Sequence, residues 1–253
     1  MKEFAVALIF ATVAVTPAFA DDCRHEAARR VEEPAAGARS IHVIGRAGSL
    51  TVVGVPGMSV RAHGTACTSD SDLLDQIQLK ADRRGDRVVI EAVIPETTRW
   101  GIGSFYRRLD FTVEIPSGIH VEVEDGSGSL EVRSVASVDI EDGSGSISVR
   151  DVPGVVTIRD GSGSIEVRQA GMVRIDDGSG LIDVRGIRGD VIIEEDGSGG
   201  IDIADVGGNV VIERDGSGGI DVRNVTGSFE VGRDGSGGIS HRDVRGRVSV
   251  PRD

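Results

Sequence analysis

The stretch GSIEVRQAGMVRIDDGSGLIDVRG, residues Gly163–Gly186, holds one full period of this chain. The tetrapeptide Asp-Gly-Ser-Gly inside it begins at Asp177. The same four residues begin at Asp125, Asp142, Asp160, Asp196, Asp215 and Asp234, 17 to 19 residues apart. Each period reads Ile-x-Val, a turn, Val-x-Ile and the next tetrapeptide, so both apolar pairs alternate with polar residues, the period of a strand. A fixed period of this length takes precedence over local signals. Strand–corner–strand units of about 18 residues, stacked about 4.8 Å apart, make an all-β fold, a parallel β-helix or solenoid.

In that frame the tetrapeptide is a corner. Alternation counted back from Ile165 puts Gly163 and Gly161 on the inward face, where a residue without Cβ fits a narrow bend or takes positive φ. The aspartate caps the bend by accepting backbone N–H groups two or three residues on. Asp125, Asp142, Asp160, Asp177, Asp196, Asp215 and Asp234 are therefore expected to be structural corner residues, with the serines facing out. Two outward columns also follow from the period. One is Glu131, Ser148, Glu166, Asp183, Asp202, Asp221 and Ser240; two residues on come Arg133, Arg150, Arg168, Arg185, Ala204, Arg223 and Arg242. Acidic and basic columns side by side predict ion pairs within and between coils, each contributing little alone.

Outward from the repeats at 125–250, an earlier coil is legible in AGSLTVVGVPGMSV (Ala47–Val60), which aligns with DGSGSLEVRSVASVDI (Asp125–Ile140). The solenoid domain is read as 41–253. Residues 63–118 form an insertion near its N-terminus, built on a β-hairpin. It has a polar turn at Asp72–Asp75, strands at Ile77–Ala81 and Arg87–Ile94, a loop at Pro95–Arg108 and a strand at Leu109–Ile115. The insertion carries the single Trp and single Tyr of the chain.

Residues 1–20 read as a secretory signal peptide: Lys2, an apolar run from Phe4 to Val15, and Ala18-Phe19-Ala20 as cleavage site. No later apolar run is long enough for a transmembrane helix. The protein is thus expected to be exported, periplasmic or extracellular. There the two remaining cysteines, Cys23 and Cys67, are most simply one disulfide, tethering the segment 21–40 to the domain. The net charge of −13 argues against a nucleic-acid partner, which requires a basic footprint.

Chemical readings compete with the corner. Glu194, Asp196, Asp202 and Asp205 have the spacing of an EF-hand loop, with Ser198 and Gly199 at its fifth and sixth positions. The first loop position is apolar in earlier repeats (Val123, Ile140, Ile158, Ile175), and no helices flank it, so the corner reading is preferred and no metal or other cofactor is expected. A phosphate loop should lead into a helix N-terminus, and here it leads into a strand. The histidines are scattered without metal-ligand spacing, and the coils from Asp125 onward lack the long loops that wall a polysaccharide-cleaving groove. The best recognition candidate is TTRWGIGSFYRRLD (Thr97–Asp110). Its Arg99, Trp100, Phe105, Tyr106, Arg107 and Arg108 could stack on sugar rings or anchor a protein; the competing reading is that its aromatics cap the solenoid.

DFTVEIPSGIHVEVEDGSGSLEV (Asp110–Val132) resembles the bacterial "putative adhesin" family of exported β-strand-repeat proteins. The marks are an amphipathic strand ending Ile-Pro-x-Gly and the repeated G-S-G-x-I-x-V; the likeness extends over most of residues 40–250. The resemblance implies a solenoid fold and carries over no catalytic or binding residues. The reading is a non-catalytic, adhesin-like binding or envelope-surface module, facing an envelope glycan or surface protein. The alternatives are a solenoid that assembles end to end, a calcium-binding repeat protein and a polysaccharide-active enzyme.

Overall fold

The computed structural model describes residues 23–95 and 106–251. Residues 1–20, read from the sequence as a signal peptide, lie outside the described residues. The chain begins with β1 (His25–Pro34), β2 (Ser40–Ile44), β3 (Leu50–Val55) and β4 (Ser59–Thr68), then a one-turn helix α1 (Ser71–Leu74) capped by Asp70. β5 (Gln78–Arg84), β6 (Arg87–Val93) and β7 (Arg107–Pro116) follow. The repeats supply β8 (His120–Asp125), β9 (Gly128–Arg133), β10 (Ser137–Asp142), and the long bent β11 (Gly145–Asp160) and β12 (Gly163–Asp177). After these come β13 (Gly180–Ile187), β14 (Val191–Asp196), β15 (Gly199–Val206), β16 (Val210–Asp215), β17 (Ile220–Val225), β18 (Phe229–Asp234), β19 (Ile239–Val244) and β20 (Val248–Ser249).

The strands stack into a β-solenoid of about 7 turns. One face runs β2, β8, β10, β11, β12, β14, β16, β18 and β20 in parallel. The other runs β3, β9, β11, β12, β13, β15, β17 and β19, with β11 and β12 long enough to contribute to both. Register follows the repeat: Ile147 lies beside Ile165 and Val149 beside Val167. Inward Val and Ile from the two faces fill a thin core, in which Phe229 is the largest fully buried side chain.

Each coil has a second corner, after the arginine column. It is made by one left-handed residue per turn: Ser134, Asp151, Gln169, Gly186, Asp205, Asn224 and Asp243, with φ between 54° and 72°. That single reversal lets the next residue re-enter the core, and Val135, Val152, Ala170, Ile187, Val206 and Val225 are buried there. The period alone did not reveal this third inward column.

The earlier coil is half as the alignment has it. Leu50 and Val52 do stack on Leu130 and Val132. Val60 does not stack on Val138; it belongs to β4, which runs antiparallel between β1 and β7. The neighbour of Val138 is Val121, which in turn lies on Ile41. The strands between 63 and 118 extend the faces: β6 pairs parallel with β2 and β7 with β3, while β5 and β4 turn antiparallel on top of them. The N-terminal end is thereby finished by antiparallel strands. Cys23 and Cys67 are joined in a disulfide that fixes the start of β1 to β4, the covalent staple of an oxidising compartment. Among the described residues no helix is long and apolar enough to cross a membrane.

Candidate functional site

The tetrapeptide corner departs from simple alternation. In the last strand of each coil, Val156, Ile158 and Asp160 share one parity, so the aspartate follows the apolar pair inward. Asp160, Asp177, Asp196 and Asp215 are buried. The glycines do not point into the core. A Cβ on Gly180 would sit 1.4 Å from the carbonyl oxygen of Gly163 in the preceding coil, at φ +146°. The clash is along the stacking axis, so the glycine is required by coil-on-coil approach and by its left-handed backbone, not by crowding in the core. An L-residue there would push two coils apart.

The aspartates form a single column in register: Asp125, Asp142, Asp160, Asp177, Asp196, Asp215 and Asp234 are successive partners. The Asx geometry is present: the Ser162 N–H donates to Asp160 Oδ1 at 3.3 Å and the Ser179 N–H to Asp177 Oδ1 at 3.2 Å. Yet each rung keeps at least one buried oxygen without a hydrogen-bond partner, and Asp196 and Asp215 keep two. Burial pushes the carboxyls of Asp125 and Asp196 up to about 7 and those of Asp160 and Asp215 up to about 6. Neighbouring rungs add to the rise, Asp142 and Asp177 acting on Asp160.

Beside the upper rungs runs an open groove of about 550 Å³, walled by Arg46, Glu124, Glu141, Arg159 and Asp176, with Asp125, Asp142 and Asp160 at its base. All the wall residues but Arg46 are the outward neighbours of the rungs. Arg159 reaches Glu141 one coil away at 3.3 Å, and Glu124 takes His42 Nε2 at 3.0 Å. Repetition therefore sets carboxylates and guanidinium groups at coil spacing along one line.

The recognition residues read from the sequence divide. Arg99, Trp100 and Phe105 lie outside the described residues. The Tyr106 hydroxyl accepts the Arg24 backbone N–H at 2.8 Å, and its backbone is bonded to Ser69. That ring holds the segment beside Cys23. Arg107 and Arg108 open β7 opposite Thr68 and Cys67. Arg108 Nε donates to the Asp110 carboxylate at 2.9 Å, which also accepts the Ser49 N–H at 2.7 Å. These contacts lower the Asp110 carboxyl against the opposing effect of its burial.

The EF-hand spacing does not converge. Glu194 pairs with Arg174 on the outer face of β14, and Asp196 points inward. Asp202 pairs with Arg223 at 2.9 Å on β15, and Asp205 is a left-handed residue of the second corner that accepts from Asn224 at 2.6 Å. Among the described residues no three carboxylates, imidazoles or thiols are grouped to hold a metal ion. The outward columns are paired, with Arg168 bridging Glu166 at 2.8 Å to Asp183 of the next coil at 3.0 Å.

No family model matches the chain, and no curated protein does. Solved structures are similar to it. A protein of Parabacteroides merdae described as a "putative adhesin" is 11% identical, with 90% of this chain and 96% of that chain covered at a TM-score of 0.50. A "putative cell adhesion protein" of Clostridium sporogenes is 9% identical over 89% of this chain and 99% of its own, TM-score 0.40. A "putative lipid binding protein" of Parabacteroides distasonis is 12% identical over 90% and 98%, TM-score 0.38. At such identities the likeness is one of fold. The chain thus shares the fold of the P. merdae protein, consistent with the "putative adhesin" family that Asp110–Val132 resembles.

Proposed function

We propose that this protein is a non-catalytic, adhesin-like binding module of the cell envelope or cell surface, and that the groove along the first corner meets its ligand. The observation that carries the reading is the groove wall. Arg46 and Arg159 can only donate hydrogen bonds, while Glu124, Glu141 and Asp176 in ionised form can only accept them. Donors and acceptors both set at coil spacing suit a ligand that offers both along its length, such as the hydroxyls of an envelope glycan. The disulfide supports an exported location, and the fold shared with the P. merdae protein supports an adhesin-like role.

The test is binding to a panel of envelope glycans by the wild type, Glu141→Ala/Arg159→Ala and Trp100→Ala. The expected result is a loss of about tenfold or more in the groove variant, the size expected for charged hydrogen bonds of about 1.5–3 kcal/mol. Loss confined to Trp100→Ala would move the site to the 97–110 loop. Absence of glycan binding by the wild type would overturn the ligand class.

One observation favours a second reading, self-assembly. The last described coil carries partly buried Ile239, Val244, Val248 and Val250, and β20 pairs on one side only. A sedimentation profile independent of concentration would rule it out.

A further inference from the structure

The column of seven aspartates is chemically incomplete as it stands. Its rungs are successive partners in parallel register, so neighbouring carboxyls sit about 4.8 Å apart at the backbone. Four are buried, and Asp177 and Asp196 are each only 1% exposed. Each rung keeps a buried oxygen without a partner, and Asp215 lies within hydrogen-bonding reach of both Asp196 and Asp234. Buried carboxylates that keep an oxygen without a donor do not persist as a stack of like charges. Something must neutralise them, and three candidates exist: guanidinium groups, a metal ion or protons.

The surroundings dispose of the first two. The charged groups nearest the column are Arg46, Glu124, Glu141, Arg159, Asp176, Glu195, Arg214 and Arg233. All but Arg46 are the outward neighbours of the rungs. Arg159 is spent on Glu141 and Arg214 on Glu195, and the four arginines of this set are balanced by its four carboxylates, so it brings no net positive charge to the column. From the facing sheet come Leu130, Ile147, Ile165, Ile182, Ile201 and Ile220, none of which titrates. A calcium ion needs six to eight oxygens. Two stacked carboxyls supply four at most, and the aspartate carbonyls of the corner already accept N–H groups from the next coil. A proton needs only two oxygens.

We infer that the six aspartates from Asp125 to Asp215 form a ladder of shared protons, in which a protonated rung donates to its ionised neighbour, and that ionising this ladder loosens the first corner of the solenoid. The O–H of one carboxylic acid becomes the donor that the adjoining carboxylate lacks, so each shared proton removes one repulsion and adds one hydrogen bond. The raised carboxyls of Asp125, Asp142, Asp160, Asp177, Asp196 and Asp215 agree with this, burial being the first cause of each. Asparagine would be locked in the donating form, whereas aspartate makes the corner responsive to acidity. The inference does not depend on what the groove binds.

The experiment follows thermal unfolding of the full chain by circular dichroism from pH 5 to pH 9, in chelator and again in millimolar calcium. Wild type, Asp196→Asn and Asp196→Asn/Asp215→Asn are compared. The wild-type midpoint is expected to fall by about 5 °C or more between pH 5 and pH 8. The asparagine variants are expected to fall less and to exceed wild type at pH 8. A midpoint flat across this range, or one restored at pH 8 by calcium and lost again in chelator, overturns the inference. Should the variants fail to fold, carboxyl-carbon NMR of the wild type decides. Several aspartates titrating between pH 5 and pH 8 support the ladder, and all of them titrating below pH 5 refutes it.

Discussion

Adjacent glycines in one corner should respond oppositely to the same substitution. Gly218 has φ +150°, and a Cβ there would lie 1.4 Å from the Gly199 carbonyl oxygen and 2.5 Å from its carbon. Both obstacles are backbone, so no side chain can swing away, and the Gly218 N–H is itself bonded to Ser236 at 2.9 Å on the other side. Gly218→Ala therefore adds a strained backbone conformation, about 1–3 kcal/mol, to a forced separation of coils, about 1–3 kcal/mol by analogy with overpacked cores. The combined cost of about 2–6 kcal/mol is a large share of the 5–15 kcal/mol typical of a domain. Gly219 has nothing within 4 Å of its Cβ position and no left-handed φ. Gly219→Ala is expected to be neutral or to stabilise by up to about 1 kcal/mol through the unfolded chain. Urea unfolding read by circular dichroism, with hydrogen exchange to locate any opening, measures both variants. Because a solenoid can lose coils from one end, exchange at the coils around 199–237 is the local readout. Equal costs at the two positions, or no cost at Gly218, would refute the argument that coil-on-coil approach selects glycine.

Other outcomes follow from the same geometry. Gln169 is exposed at the left-handed second corner with φ 58°, so Gln169→Gly should raise stability by about 0.5–1 kcal/mol in urea unfolding, the left-handed penalty less the added chain entropy. Reducing the disulfide, which spans 44 residues, should cost about 4 kcal/mol on the chain-entropy model and free the start of β1, measurable as a lower midpoint in reductant. Arg168→Ala should cost at most about 1 kcal/mol despite its two ion pairs, and the difference should shrink in high salt. For the aspartate column the sign is fixed by raised carboxyls. Their contribution is complete below the unfolded value near 3.8 and is lost as pH climbs through about 6 to 7. A buried rung such as Asp215, moved from 3.8 to about 6, carries about 3 kcal/mol between those limits.

Much of this fold was legible because a strand repeat writes itself in alternation. Ile165 and Val167, Val173 and Ile175 announced both faces, and the arginine column announced its acidic partners. Alternation failed where the backbone leaves the strand. At positive φ a glycine no longer keeps the parity of its neighbours, so counting back from Ile165 placed Gly163 inward when the inward residue is Asp160. The second corner was silent for a related reason. Ser134, Asp151, Gln169, Gly186, Asp205, Asn224 and Asp243 share a conformation but five residue types, and the Asp, Asn and Gly that tolerate a left-handed bend are too common elsewhere in this chain to mark it. Val60 misled because its spacing continues the repeat while its strand runs antiparallel, a choice set by long-range pairing with β1 and β7. Tyr106 looked like a free aromatic since nothing local shows its bond to Arg24, 82 residues away. The groove wall could have been found, because Glu124, Glu141, Arg159 and Asp176 each directly precede a tetrapeptide and so form an outward column.

The account turns on what neutralises the Asp-Gly-Ser-Gly corner, and direct calcium titration of the chelator-treated protein at pH 7 by calorimetry addresses it most plainly. Protons shared between rungs leave no vacancy for a divalent ion, so the expected result is less than one equivalent bound, with no change in the unfolding midpoint. Uptake of several equivalents, one for each pair of stacked aspartates, with a rise in the midpoint, would contradict it and make the corner a metal column.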